Sequence, residues 1–325
     1  MSNNVPVDSF AKANKIPLPG LIGSNPLGAL TAFGLLKVLS EEFPETKLAF
    51  EMRDDWVAVL YNAPFDSIDA LIAWLSEWVK SPLLSSAFSW CNDPRMSQSE
   101  YSDALAKSLH SDDLFVTNLL SCFATEHLFR KGLQKKQVSE DEEDSEKNAP
   151  TTAFYMCKGG TFFKAMRQHL AIVRKDAGTE LRDALVGSWP YRSNVSGLGL
   201  DLTSERIRAY RWKAPTGDRQ SSVSGAMIFA MFGISQFPVL STNGRVNTLG
   251  FCRRDKEQYF RWPIFDCPVS IWTLKSLLAN CGNTESKLRT GIATEFETHR
   301  YISNTTFGLA NFRSAKPRAF VKEKS

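Results

Sequence analysis

The sequence lacks the motifs that would assign the chain to a common enzyme class. It contains no P-loop lysine–serine pair, no complete dinucleotide-binding fingerprint, no HExxH helix and no carboxylate cluster suited to two metal ions. A nucleophile next to a general base is also missing. We therefore expect a protein that is not an enzyme and that binds no cofactor or metal. A nuclease or a nucleotide-dependent enzyme is the weaker alternative.

Long apolar runs and closely spaced cysteines are missing as well. No run approaches the roughly 20 apolar residues that cross a bilayer, and the N-terminus lacks the pattern of a signal peptide. The six cysteines are scattered without a CxxC pair, which argues against a zinc site. These features predict a cytoplasmic protein without membrane contact, whose cysteines are reduced core residues.

The chain is rich enough in apolar residues, and long enough, for two domains. It has 325 residues, of which 43% are hydrophobic, with 22 Phe and 8 Trp. A polar segment at 131–152 contains an acidic block that cannot bury apolar surface. We predict an α+β fold: domain 1–130 and domain 153–325, each mixing helices with antiparallel strands, joined by a charged flexible linker at 131–152.

Local patterns predict the first helix and a hairpin. Asn25 and Pro26 suit the N-cap and first position of a helix, whose apolar residues recur at helical spacing until Pro44. The stretches LAFEM and WVAVLYN are typical of two strands with a charged turn between them. Helix and hairpin then belong to one compact α+β unit.

Further elements follow from the same patterns. Asp66 is the expected cap of an amphipathic helix, and AFYMC beyond the linker is a predicted short strand. The helix SVSGAMIFAMFGI is apolar all round and should be buried. The stretches RVNTLGFCRR and QYFRWPIF are predicted strands. The apolar face of the amphipathic helix consists of Leu71, Trp74, Leu75 and Trp78.

A final helix is predicted after Ser270, which suits its N-cap. The tail from Asn283 is polar, and we assign no element to it.

Cationic and aromatic residues are most densely interleaved between Arg206 and Phe265. The part from Arg206 to Arg261 holds ten cationic and three acidic residues, although the whole chain carries a net charge of only +4. Arginine beside aromatic rings suits a nucleic-acid backbone with unstacked bases. The alternative is the basic edge of an ordinary sheet whose aromatic residues face the core. The candidate nucleic-acid-binding cations are Arg206, Arg208, Arg211, Lys213, Arg245, Arg253, Arg254, Lys256 and Arg261. The candidate stacking residues are Tyr210, Trp212, Tyr259 and Trp262.

Several stretches, in order, resemble proteins of type I-G (I-U) CRISPR systems. PLPGLIGSNPLGALTAFGLLKVL resembles their amino-terminal PLG-ALxxxGLL signature. GSWPYRSNVSGLGLDLTSERIRAYRW resembles a Trp-Pro-Tyr loop before a strand that ends in Arg-Trp. GAMIFAMFGISQFPVL, RVNTLGF and FRWPIFDCPVSIWTLKSLLA resemble their later helix and strand motifs. The matches cover roughly residues 17–60 and 187–279.

The resemblance implies a large-subunit-like component of a crRNA-guided, Cascade-type surveillance complex for antiviral defence. Its expected partners are crRNA, target DNA, the other effector subunits and a separate helicase-nuclease. The expected role is DNA or RNA binding that contributes to target recognition. A protein–protein scaffold or adaptor of the same defence locus is the alternative, and the chain resembles either a complete large subunit or a smaller relative.

Overall fold

The computed structural model describes residues 14–89, 94, 97–110, 114–125, 152–157, 161–201, 221–242, 245–255, 257–281, 291–304 and 309–318. They form helices and antiparallel sheets, so the predicted α+β class is confirmed. The helices are α1 (Pro26–Glu42), α2 (Ile68–Trp78), α3 (Pro82–Ala87), α4 (Gln98–His110), α5 (Leu114–Phe123), α6 (Thr161–Lys175), α7 (Ala177–Leu185), α8 (Ser224–Ile234) and α9 (Ile271–Asn280). The strands are β1 (Lys15–Ile22), β2 (Lys47–Met52), β3 (Trp56–Tyr61), β4 (Val239–Thr242), β5 (Arg245–Thr248), β6 (Phe251–Arg254), β7 (Glu257–Phe265), β8 (Ile292–Asn304), β9 (Leu309–Phe312) and β10 (Lys316–Arg318).

The first sheet has the strand order β1-β3-β2 and contains the predicted hairpin. Strand β1 is an edge strand of this sheet. It tolerates Pro17 and Pro19, which have no N–H, because only one side of an edge strand pairs with another strand. Helix α1 begins as predicted: the Asn25 side chain accepts a hydrogen bond from the Leu27 N–H, and Pro26 occupies the first turn.

Helix α1 lies at the centre of the molecule and packs closely against α8. Both helices are buried on nearly every side, as the sequence predicts for α8. At their crossing, a Cβ on Gly34 would overlap the Phe229 carbonyl, and a Cβ on Gly233 would overlap the Leu30 carbonyl. The two glycines therefore let the helix backbones touch.

The second sheet has the order β10-β8-β7-β6, with β9 paired to β8 beside β10. Phe33 of α1 packs against Phe50 of β2 and Phe265 of β7, with ring centroids 6.2 and 6.3 Å apart. Leu48 of β2 also exchanges two backbone hydrogen bonds with Val269. The core thus lies between the two sheets, around α1.

One hydrophobic core contains residues from both sides of the predicted linker. It includes Phe33, Phe50 and Leu71 from the first predicted domain, and Phe229 and Trp262 from the second. Most of segment 131–152 lies outside the described residues, so its role as a flexible linker and domain boundary stays a prediction. Among the described residues, no helix is both long and apolar enough to span a bilayer.

Three local predictions differ from the structure. The stretch RVNTLGFCRR, predicted as one strand, forms the two strands β5 and β6, which belong to different sheets. Helix α2 is capped by Ser67, whose hydroxyl accepts from the Ala70 N–H, and not by Asp66. Its predicted apolar face is otherwise confirmed, since Leu71 and Leu75 are buried and Trp78 stacks on Phe229. The predicted strand AFYMC is wrong, because residues 153–157 form a turn and irregular backbone.

Arg300 of β8 holds this irregular segment on the sheet. Its guanidinium donates to the carbonyl oxygens of Ala153 (2.8 Å) and Tyr155 (3.1 Å) and to the side-chain oxygen of Gln258 (3.0 Å). The Ala310 N–H of β9 also donates to the Met156 carbonyl oxygen at 3.0 Å, so the segment is attached to the sheet without a strand ladder of its own. Strands β8, β9 and β10 lie in the polar tail from Asn283, for which no element is predicted.

His169 of α6 is a buried polar residue that connects three parts of the chain. Its Nε2–H donates to the Ser196 carbonyl (3.0 Å), so its Nδ1 accepts from the Ser224 hydroxyl of α8 (3.1 Å). Burial lowers the pKa of His169 to about 4, against a smaller opposing effect of the bond to Ser196. The imidazole is therefore neutral in the folded protein at pH 7.

Replacing Gly34 by Ala should destabilise the protein by about 2–3 kcal/mol, because the methyl group forces α1 and α8 apart. Gly178→Ala in α7 is the matched control: an added Cβ there meets nothing within 4 Å, so helix propensity should stabilise the protein by up to about 1 kcal/mol. Urea unfolding measures both. Equal stability of the two variants would contradict the helix contact.

The free energy of unfolding should fall by about 2 kcal/mol between pH 7 and pH 5 through His169 alone. The folded-state pKa of about 4 lies below the unfolded value of about 6.5. The stability that the neutral ring contributes is therefore complete above pH 6.5 and is lost as the pH falls toward 4. Between pH 7 and pH 5 the free energy of unfolding should fall more steeply with pH for the wild type than for His169→Gln. The same pH dependence of the free energy of unfolding in both proteins would refute the role of a buried, neutral His169.

Candidate nucleic-acid interface

The second sheet separates apolar from polar residues onto its two faces. In the β7–β8 register Phe260 pairs with Thr298 and Trp262 with Phe296, and all four are buried. The alternate residues face the other side, where Arg261 pairs with Glu297. We call this second side the polar face.

Glu297 is the centre of an ion-pair cluster on the polar face. Its Oε2 accepts from Arg261 Nε at 2.6 Å, and its Oε1 accepts from Arg254. Arg318 of β10 approaches Glu297 at 3.9 Å and pairs with the fully buried Glu295 at 3.0 Å. Burial acts to raise the pKa of Glu297, but the bonds and charges of Arg261 and Arg254 outweigh it, so the pKa is lowered.

Three rings and two guanidinium groups form a ladder on the same face. The Arg254 guanidinium lies 4.0 Å from the Tyr259 ring centroid, and Tyr259 stacks on His299 at 5.1 Å. His299 is 6.4 Å from Tyr301, over which Arg313 lies at 4.8 Å. Both arginines are exposed, and the three rings are partly exposed. We call these five residues the aromatic ladder.

Glu257 adds a carboxylate at the margin of the aromatic ladder. It accepts a hydrogen bond from the Tyr259 hydroxyl at 2.6 Å and lies 3.6 Å from His299 Nε2. The Tyr259 hydrogen bond, followed by the charge of His299, lowers the pKa of Glu257. The ladder therefore combines stacking surfaces with both signs of charge.

A groove of about 350 Å³ lies between β5 and the edge strand β6. Arg253 and Arg261 both line it, as do the thiol-bearing Cys252 and Cys281. Cys252 pairs with Tyr259 in the β6–β7 register, so the groove adjoins the aromatic ladder. The remaining lining residues are Leu240, Asn247, Thr248, Leu249, Gly250 and Phe251.

Seven of the predicted site residues lie outside the described residues. They are Arg206, Arg208, Tyr210, Arg211, Trp212, Lys213 and Lys256. Arg245 begins β5, but its side chain is not described.

The other predicted residues have different environments. Tyr259 and Arg254 meet in the aromatic ladder, whereas Arg261 is 12% exposed and bound to Glu297. Arg253 is exposed and makes no ion pair with the described part of the chain. Trp262 is corrected: it is fully buried, and its indole N–H donates to the Gly23 carbonyl at 2.8 Å. This ring belongs to the core and cannot stack on a base there.

Sequence reasoning missed the β8 contribution to the site. Glu297, His299 and Tyr301 alternate with Phe296 and Thr298 in the stretch IATEFETHRYIS. This alternation of polar with apolar or β-branched residues is a signal of a half-buried strand. The overall polarity of the tail hid it.

Groups of three or more potential metal ligands (His, Cys, Asp or Glu) are not found in the described part of the chain. Comparison of the sequence with protein-family models and with curated proteins finds no match. The CRISPR assignment therefore stays a prediction from the sequence motifs.

Substitution of the two arginines bound to Glu297 should have unequal effects. Arg261→Gln should cost about 1–2 kcal/mol, because the mostly buried Glu297 loses a charge-assisted hydrogen bond. Arg254→Gln should cost less than about 1 kcal/mol, because Arg254 is 49% exposed and water screens its pair. Urea unfolding at pH 7 compares them.

The difference between the stability losses of Arg261→Gln and Arg254→Gln should become smaller at acid pH. The pKa of Glu297 is lowered in the folded state, so its contribution is present above the unfolded value and is lost as the pH falls through the folded value. If Arg254→Gln cost as much as Arg261→Gln at pH 7, the central role of the Arg261 pair would be wrong.

Proposed function

We propose that the protein is a non-catalytic subunit of a CRISPR crRNA-guided surveillance complex, where it binds nucleic acid and contributes to target DNA recognition. Two independent lines support this. The ordered sequence motifs resemble type I-G effector proteins, and the polar face carries a surface suited to unpaired bases.

The aromatic ladder is the observation that carries the nucleic-acid part of the proposal. The rings of the ladder face one another and the two guanidinium groups, so a base would stack on the outer planes of the Arg254 and Arg313 guanidinium groups. The exposed guanidinium groups of Arg254 and Arg313 end the ladder on both sides. Arginine can pair with phosphate and lie over a ring at the same time.

Charge on this face is partly neutralised. Glu297 forms ion pairs with Arg254 and Arg261, and Glu295 forms an ion pair with Arg318. A ligand held by this face would therefore depend more on stacking and less on net charge than the basic sequence suggests. Such balance favours single-stranded nucleic acid over a duplex, whose bases are stacked on one another.

Tagged protein purified from its native cells should carry repeat-derived guide RNA together with other effector subunits. Tyr259→Ala combined with Tyr301→Ala should lower the recovered nucleic acid about ten-fold, because the rings that support the guanidinium groups of Arg254 and Arg313 are removed. Sequencing of the bound nucleic acid and mass spectrometry of the partners give the readout.

Trp272→Ala is the matched control, since Trp272 is an aromatic residue 72% exposed on α9, outside the ladder. It should leave nucleic-acid recovery unchanged. Wild-type protein recovered without nucleic acid would refute the proposal.

Trp272 also supports the second candidate function, a protein scaffold of the same defence locus. An aromatic residue this exposed, with the Lys275 ammonium 4.8 Å from its ring centroid, is typical of protein contact sites. Loss of protein partners in Trp272→Ala, with no nucleic acid in the wild type, would favour the scaffold.

A further inference from the structure

We propose that Glu297 is a positioning residue of the nucleic-acid surface: it holds the Arg254 guanidinium over Tyr259, so that the outer plane of Arg254 is ready to stack on a base. Glu297 itself touches no ligand. The ligand is single-stranded nucleic acid, so the inference rests on the proposed function. An acidic residue then strengthens the binding of a polyanion, which is the opposite of what its charge alone predicts.

Two contacts from two different strands fix the guanidinium of Arg254. Its Cζ lies 4.0 Å from the ring centroid of Tyr259 on β7, and a terminal nitrogen donates to Glu297 Oε1 on β8. The ring supports one face of the guanidinium, and the carboxylate holds one of its edges. The side chain of Arg254 is still 49% exposed, so without these contacts it would sample many rotamers.

Glu297 is itself held in place before any ligand arrives. Its side chain is only 13% exposed, and its Oε2 accepts from Arg261 Nε at 2.6 Å, which leaves Oε1 for Arg254. Arg318 approaches from β10 at 3.9 Å. Although burial acts to raise the pKa of Glu297, Arg261 and Arg254 lower it, so the carboxylate is ionised at pH 7. Arg254 is therefore anchored to a rigid, charged group.

Arg313, at the other end of the aromatic ladder, has no such anchor. It lies 4.8 Å from the Tyr301 ring centroid, but its side chain makes neither an ion pair nor a hydrogen bond with the described residues. A base that stacks on Arg313 must pay to order that side chain, whereas Arg254 is already ordered. We therefore expect the Arg254 end of the ladder to bind bases more tightly.

The test measures binding of a fluorescent ten-nucleotide oligothymidylate to the full chain at pH 7. Glu297→Gln should weaken binding about three-fold, although it removes a negative charge, because Arg254 loses its anchor. In an Arg254→Gln background the same substitution should instead strengthen binding about two-fold, because only the repulsion between the carboxylate and phosphate is then left to remove. This reversal of sign identifies an effect that acts through Arg254.

Glu297→Asp separates position from charge. It keeps the negative charge, but the carboxylate is one methylene further from Arg254, so binding should weaken while the slope of log K against log salt stays the same. Asp69→Asn is the control, because it removes an acid from an exposed ion pair with Arg182, on α2 and α7, and should leave the affinity unchanged.

The fraction of protein that binds, obtained by titration at high protein concentration, distinguishes positioning from folding. A loss of fold lowers this fraction, whereas a displaced Arg254 raises Kd and leaves the fraction unchanged. A lowered fraction with an unchanged Kd in both Glu297 variants would overturn the positioning role.

Tighter binding by Glu297→Gln in both backgrounds, or equal weakening in both, would also overturn it. So would wild-type affinity in Glu297→Asp. In each of these cases the proposed function would stand. Absence of oligothymidylate binding by the wild type at low salt would overturn the inference together with the nucleic-acid part of the proposed function.

Discussion

The contact between α1 and α8 is the constraint on which the rest of the structure depends. Gly34 and Gly233 bring the two backbones together, and each helix is then covered by other elements. A helix buried on all sides cannot be positioned by an amphipathic face, since it has none. The glycine contact replaces that face and fixes which residues of α1 meet the sheets.

Both sheets are positioned through this helix pair. Phe33 of α1 reaches Phe50 in the first sheet and Phe265 in the second, and those two rings also meet at 5.4 Å. Trp262 bonds to Gly23, just before α1. The apolar face of the second sheet therefore packs against the core. Its polar face, with the aromatic ladder and the groove, is the side left for a ligand.

The polar face shows why a count of cations overestimates a basic surface. Arg254 and Arg261 lie in a strongly basic stretch, but β8 brings Glu297 beside them from 43 and 36 residues further along the chain. The carboxylate neutralises charge, and it also orients Arg261. Specific recognition by a few directed donors is favoured over diffuse attraction of any polyanion.

Local features could be predicted because they depend on neighbouring residues. The cap at Asn25, the β2–β3 hairpin, the buried α8 and the Ser270 cap follow from side chains within a few positions, and the structure confirms them. The strand predicted at residues 153–157 failed because its backbone groups bond to distant partners, the Arg300 guanidinium, the Thr248 hydroxyl and the Ala310 N–H, which no local pattern reveals.

The sequence by itself determined the α+β class and the positions of α1, α2, α8, α9 and the β2–β3 hairpin, since periodicity and capping are short-range properties. The mixture of cationic and aromatic residues in the sequence also identified Arg253, Arg254 and Tyr259 as candidate nucleic-acid-binding residues. Only the tertiary structure decided that Trp262 is buried, that Glu297 pairs with two arginines, and that His299 and Tyr301 extend the ladder. Register between distant strands decides these contacts, and a one-residue shift would exchange the two faces of the sheet.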